Sequence, residues 1–187
     1  MDKITFVVPS RNNLEFLQLC YAGIRRLNTV HEILVLDDAS TDGTGDWLDS
    51  LNDDSVQVYT NPGPERIGIV GMFDKGIELA RTDIICAYHA DMVAGPNLDT
   101  HLLKHLKPGT VVTATRIEPP LHPPGPEKIV HNFGIEVTDF DMDEWLNWSN
   151  PSPVGKVTEG IFAPWCMYKS DFESIGGHDE LLSLIHI

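Results

Sequence analysis

Two apolar runs restrict the fold more than any other feature of this chain. Ile33-Leu34-Val35-Leu36 and Ile84-Ile85-Cys86-Ala87-Tyr88 carry no charge over their whole length. Strands with that pattern are covered on both faces, the situation of parallel strands between helical layers. The segments around them agree. Ile4-Thr5-Phe6-Val7-Val8 is a β-branched and aromatic run that is expected to stop at Pro9. Leu14, Phe16, Leu17, Cys20, Tyr21, Ile24 and Leu27 fall at helical spacing. A short helix over 44–51, a strand over 56–59, helices over 69–80 and 98–106 and a strand over 110–115 follow. Four alternations of strand and helix with short links predict an α/β fold with a mainly parallel central sheet flanked by helices. The Pro-rich stretch 118–126 is expected to be a stiff surface loop. Residues 159–168 then return to the sheet as a strand or loop, and a short capped helix ends at Gly176-Gly177.

With 187 residues the chain is one domain, residues 1–187, with a sizeable core. Asp and Glu number 28 against 13 Lys and Arg, a formal charge of -15, which speaks against a general nucleic-acid or anionic-membrane binder. A phosphate ligand remains compatible, because a bridging divalent cation reverses the local sign. Cys20, Cys86 and Cys166 are far apart in apolar contexts and are expected as buried free thiols. Neither a signal peptide nor an apolar run of spanning length is present, so a cytoplasmic location without a transmembrane segment is expected. The last residues, Leu184-Ile185-His186-Ile187, follow a newly opened element, and the domain reads as missing its C-terminal part.

Two clusters carry the chemistry. Asp37 and Asp38 close the second strand ahead of Ser40, Thr41, Asp42 and Gly43. Helix capping needs one such residue. Two adjacent carboxylates at a strand end repel each other and call for a donor ligand or a cation. His89 and Asp91 leave the end of the fourth strand, where open parallel sheets gather their ligands. In an extended segment their i, i+2 spacing would put both side chains on one face, suited to Mg²⁺ or Mn²⁺ shared with substrate phosphates. Taken by itself the spacing is equally compatible with a capping Asp and a core histidine. His101 and His105 lack the glutamate of a metalloprotease helix and read as a solvated face. The chain has no Gly-x-Gly-x-x-Gly turn, no Gly-Lys-Ser/Thr phosphate loop and no Gly-x-Ser-x-Gly elbow, which disfavours dinucleotide oxidoreductases, P-loop enzymes and α/β-hydrolases.

In this order and spacing the motifs resemble family 2 glycosyltransferases of the GT-A, Rossmann-like nucleotide-diphospho-sugar transferase fold. Four stretches carry the likeness: Val7-Val8-Pro9-Ser10-Arg11-Asn12, residues 35–44, residues 68–80, and Phe172-Glu173-Ser174-Ile175-Gly176-Gly177-His178-Asp179-Glu180. The resemblance implies that Pro9, Ser10 and Arg11 line a base and ribose pocket. It implies that Asp38, with Asp37, binds the nucleobase and ribose, and that Arg66 and Asp74 lie beside the nucleotide. Asp91 matches the last Asp of the family's Asp-x-Asp metal motif, while His89 stands where its first Asp is expected. The family's general base belongs to an acidic pair beyond Ile187, and Asp179 and Glu180 fall on the acceptor side. The implied reaction is metal-assisted, inverting transfer of a sugar from a UDP- or GDP-sugar to a glycan or other hydroxyl acceptor, with Mn²⁺ or Mg²⁺ as cofactor. Two other readings stay open at this point: a non-catalytic or incomplete nucleotide-sugar-binding domain, and a sugar nucleotidyltransferase. The second would need a Gly-rich basic loop after the first strand, and Pro9-Ser10-Arg11-Asn12-Asn13 has no glycine.

Overall fold

The structure, a computed structural model, describes residues 2–121, 125, 128–149 and 162–179. Its centre is a six-stranded sheet in the order β3-β2-β1-β4-β8-β5. Strands β1 (Ile4–Ser10), β2 (Glu32–Asp37), β3 (Val56–Thr60) and β4 (Ile84–Ala87) run parallel to one another. The helices between them are α1 (Leu14–Arg25), α2 (Thr44–Ser50) and α3 (Ile69–Leu79), and α4 (Leu98–His105) follows β4. Every residue of β1, β2 and β4 is buried, as strands covered on both faces require.

Alternate residues of those strands feed two cores. On one face Ile4, Phe6, Val8, Ile33, Val35, Ile84 and Cys86 pack against Leu17, Cys20 and Ile24 of α1, Leu48 of α2 and Leu102 of α4. On the other Val7, Leu34, Leu36, Ile85 and Ala87 pack against Met72, Phe73 and Ile77 of α3. Gly76 brings α3 close, since a Cβ there would lie 2.7 Å from Leu36 Cδ1 and would also strike Val7. Cys20, Cys86 and Cys166 are buried free thiols, as expected.

Three expectations change. β1 does not stop at Pro9 but runs through it to Ser10, paired with Leu36 and Asp37 of β2. The missing N–H of Pro9 costs nothing there, because it faces the β4 side. β4 pairing with β1 ends at Val7, whose carbonyl accepts from Tyr88 N at 3.0 Å. The strand expected over 110–115 shrinks to β5 (Val112–Thr113) at the sheet edge. The neighbour of β4 is instead β8 (Trp165–Tyr168), which returns antiparallel with Trp165 opposite Ala87.

The third change concerns the Pro-rich stretch, which opens inside a strand. β6 (Arg116–Glu118) pairs in parallel with β7 (Lys128–Val130), while residues 122–124 and 126–127 lie outside the described residues. Two further helices are α5 (Met142–Ser149) and α6 (Lys169–Ser174), and Phe172 of α6 joins the α3 core. Among the described residues no helix is long and apolar enough to cross a membrane.

Candidate functional site

Parallel strands send their following loops to one edge of the sheet. At that edge residues 11–13, 38–43 and 61–68 are joined by hydrogen bonds into the acidic cluster, and residues 88–97 leave β4 on the same side. Asp42 ties two helix starts together: its Oδ2 accepts from Leu14 N of α1 at 3.0 Å and its Oδ1 from Thr44 N of α2 at 3.1 Å. This carboxylate caps, as the simpler reading of the motif expects. Asn12, at φ 47°, accepts from Thr41 N at 2.7 Å and donates its own N–H to Ser40 Oγ at 2.9 Å.

Asp38 does something different. Its Oδ1 accepts from Asn61 Nδ2 at 2.7 Å and Ile67 N at 3.0 Å, and its Oδ2 accepts from Gly68 N at 2.9 Å. Arg66 Nε stands 3.8 Å away, on a side chain that is 62% exposed. Burial would raise the Asp38 carboxyl. The Ile67 N–H, the Asn61 amide, the Gly68 N–H and the Arg66 guanidinium outweigh it and hold the group below the usual carboxylate range. A carboxylate has about four lone-pair sites. Asp38 spends three of them folding residues 61–68 over the edge. Asp37 is buried beside it, with Oδ1 3.3 Å from Ser40 N.

Two of the buried polar atoms left without partners among the described residues lie next to this cluster. Ser10 Oγ and Arg11 Nη1 are buried with no hydrogen-bond partner among the described residues. Each such orphan costs about 1–3 kcal/mol, so a ligand that supplies partners to both would be favoured there.

His89 and Asp91 do not lie on an extended segment. Met92 N bonds back to His89 O at 3.2 Å, so residues 89–92 form a turn, and the i, i+2 face argument fails. They remain electrostatic neighbours. Burial lowers the pKa of His89, the Asp91 charge opposes that, and Arg116 adds to it. The half-buried His89 ring packs 5.8 Å from Phe73, while Asp91 is exposed at the corner of the turn. Among the described residues no three His, Cys, Asp or Glu side chains gather to hold a metal. An exposed carboxylate with one adjacent imidazole fits a Mg²⁺ or Mn²⁺ ion that takes its other ligands from phosphates and water. Asp91, with His89 beside it, would hold such an ion.

The other candidates are scattered around this edge. Asp74 lies on α3 and bonds His178, which follows Gly177. Asp179 comes next in the chain, and Glu180 lies outside the described residues, as do all positions after it. Sequence reasoning missed Asn61 and His178. Asn61-Pro62-Gly63 reads as a turn and hides the carboxylate its amide serves. His178 lies in the stretch 172–180 that carries the family likeness, but nothing in its local order marks it as a partner of Asp74.

Comparison with known proteins gives this geometry its context. A curated undecaprenyl-phosphate mannosyltransferase of Micrococcus luteus is 30% identical over 121 residues, 63% of this chain and 49% of that protein. The chain thus spans about half the length of that relative. Among solved structures, the mannosyltransferase PcManGT from Pyrobaculum calidifontis, in complex with GDP-Man and Mn²⁺, matches with a TM-score of 0.53 at 24% identity. That match covers 62% of this chain and 36% of the other. Residues 1–349 of S. aureus TarS in complex with UDP match with a TM-score of 0.55 at 15% identity over 66% of this chain and 38% of that one. At these identities the structures speak for the GT-A fold. Residues 5–156 match the profile of Glycosyl transferase family 2, and with most of its length inside that match the chain belongs to this family.

Proposed function

We propose that the protein transfers a sugar from a nucleoside-diphosphate sugar to an acceptor hydroxyl with inversion, and that the carboxyl edge of β1, β2 and β4 holds the donor. The observation that carries this reading is the pair of orphaned buried atoms, Ser10 Oγ and Arg11 Nη1, on the same edge as Asp91. Pro9, Ser10 and Arg11 form the floor of the pocket for base and ribose. Asp37 and the remaining lone pair of Asp38 accept from the nucleotide, and the 61–68 loop that Asp38 holds is a wall. Arg66, exposed at the rim, reaches toward the phosphates, and Asp74 borders the nucleotide from α3. Asp91 and His89 hold a divalent cation, which when bound neutralises the leaving diphosphate as a Lewis acid. Asp179 and Glu180 belong to the acceptor side.

The mannosyltransferase relatives make GDP-mannose the first donor to test, with UDP-sugars beside it. Calorimetry of GDP-mannose with and without Mn²⁺, on wild type and Asp91→Ala, tests the assignment. Expected is tighter binding with Mn²⁺ in wild type only. Equal affinity in all four titrations would remove Asp91 from the metal site.

A further inference from the structure

We propose that Arg116 and Lys128, side by side on the β6–β7 ribbon, bind the donor's diphosphate next to the turn that carries Asp91, a deepening of the transferase reading on which it rests. Lys128 lies opposite Arg116 in the parallel pairing of the two strands. Glu118, two positions on from Arg116, shares its face of β6. The three side chains meet there: Glu118 Oε1 lies 3.2 Å from Arg116 Nη1, and Glu118 Oε2 lies 2.7 Å from Lys128 Nζ.

The sheet delivers this ribbon to the donor edge. Ala87 at the end of β4, Trp165 of β8 and Thr113 of β5 are register partners in one row. Both β4 and β5 run antiparallel to β8, so the chain leaves both of them on the same side of the sheet. His89 follows one exit and Arg116 the other. Ala114 N donates to Pro164 O at 3.1 Å and ties the second exit to β8. The positive charge of Arg116 is felt at His89, where it adds to the lowering that burial causes. Phe162 covers the guanidinium, with its ring centroid 5.5 Å from Arg116 Cζ.

Lys128 shows that an anion belongs here. Its side chain is 5% exposed, and the carboxylate it bonds is shared with Arg116. A buried ammonium needs full pairing, and it carries more donors than one carboxylate oxygen satisfies. Among the described residues Glu118 is its bonded partner. Phosphate oxygens complete the set, and Arg116 adds a planar fork that matches them. Position selects the diphosphate as that phosphate. The turn after β4 offers a single carboxylate, Asp91, and a divalent cation held there leaves part of the diphosphate charge uncancelled. Two cations on the neighbouring ribbon take up the remainder as the leaving group departs. The simpler role for the trio is a tie between β6 and β7, and in that role the loss of Glu118 brings no gain in affinity.

The test is calorimetry of GDP, GMP, UDP and UMP on the full chain, first in EDTA and then with Mn²⁺, with a thermal melt of each variant alongside. In EDTA, Arg116→Gln and Lys128→Met are each expected to weaken diphosphate binding about tenfold or more. Monophosphate binding is expected to change less than about threefold, which separates a lost diphosphate contact from a damaged fold. Glu118→Gln removes the competitor for both cations and is expected to tighten diphosphate binding. Diphosphate affinity within about twofold of wild type in both cation variants overturns the proposal. So does a Glu118→Gln protein whose diphosphate affinity does not rise. Unchanged diphosphate binding, with turnover that falls only for acceptors bearing a phosphate, would move the cations to the acceptor and overturn it too. A wild-type chain that binds neither diphosphate, with or without Mn²⁺, would instead defeat the transferase reading itself.

Discussion

Among the described residues two histidine–aspartate pairs stand at opposite ends of the sheet, and they are built differently. His31, just before β2, is fully buried with Asp99 of α4, Nε2 3.1 Å from Asp99 Oδ2. Its other nitrogen, Nδ1, accepts the N–H of Ile4 at 3.1 Å. Both nitrogens are used, and the ring is locked in its neutral form. Asp99 is equally occupied, accepting Thr29 N at 3.3 Å and Thr100 N at 2.8 Å. This pair staples α4 and the start of β2 to the first strand. His178 and Asp74 make a similar hydrogen bond at the carboxyl edge, yet their side chains are 30% and 32% exposed and the second nitrogen has no partner among the described residues. Residue type and distance do not separate a buried staple from a half-exposed contact; burial and the occupancy of the second nitrogen do.

This contrast can be broken by measurement. Removing the buried carboxylate with Asp99→Ala takes away the partner of the buried His31 Nε2, and urea unfolding is expected to show a loss of about 3–5 kcal/mol. A loss below about 1 kcal/mol would mean the buried pair is no staple. The second effect is a pH dependence. Burial lowers the pKa of His31 against the pull of Asp99, and Arg25 and Lys3 add to the lowering. A histidine with a depressed folded value binds its proton more readily when unfolded. Stability therefore declines as pH falls below the ordinary histidine value of about 6.5 and continues to decline until the folded value is passed. Expected is a shallower decline in His31→Gln, followed by thermal melts between pH 7 and 5. An identical slope in both proteins would move the origin elsewhere, for instance to His89, whose pKa burial also lowers. The smallest effect belongs to the exposed pair. His178→Phe keeps the ring and loses one half-exposed hydrogen bond, so its stability is expected within about 1 kcal/mol of wild type. A larger loss would make His178 a second staple.

Much of the fold was legible along the chain because its signal is local. The uncharged strands β2 and β4 and the 3.6-residue spacing of α1 each report burial in their own residues, and the parallel half follows from their alternation. Asp42 as a capping residue was legible for the same reason, since a cap acts within a few residues of itself. β8 was harder. Residues 165–168 showed a strand or loop, but nothing in them specified insertion between β4 and β5 in the antiparallel sense. Such pairing is decided by which strand edge is still open when the chain returns.

By itself, then, the sequence determined the layered α/β architecture, the edge at which Asp38 and Asp91 emerge, and the family to which they point. The tertiary structure decided what each side chain does there. Asp38 reads as a ligand-binding carboxylate, yet most of its capacity goes to Asn61, Ile67 and Gly68, more than twenty residues away. His89 and Asp91 read as partners on a strand, yet a backbone bond from Met92 curls them into a turn. Asp74 and His178, far apart in the chain, become a pair only after α3 and the segment beyond α6 pack around Phe73 and Phe172. The reason is physical. Burial patterns repeat with the period of the local backbone and can be read in order, whereas the hydrogen-bond partner of a side chain is whatever the folded chain brings within about 3 Å.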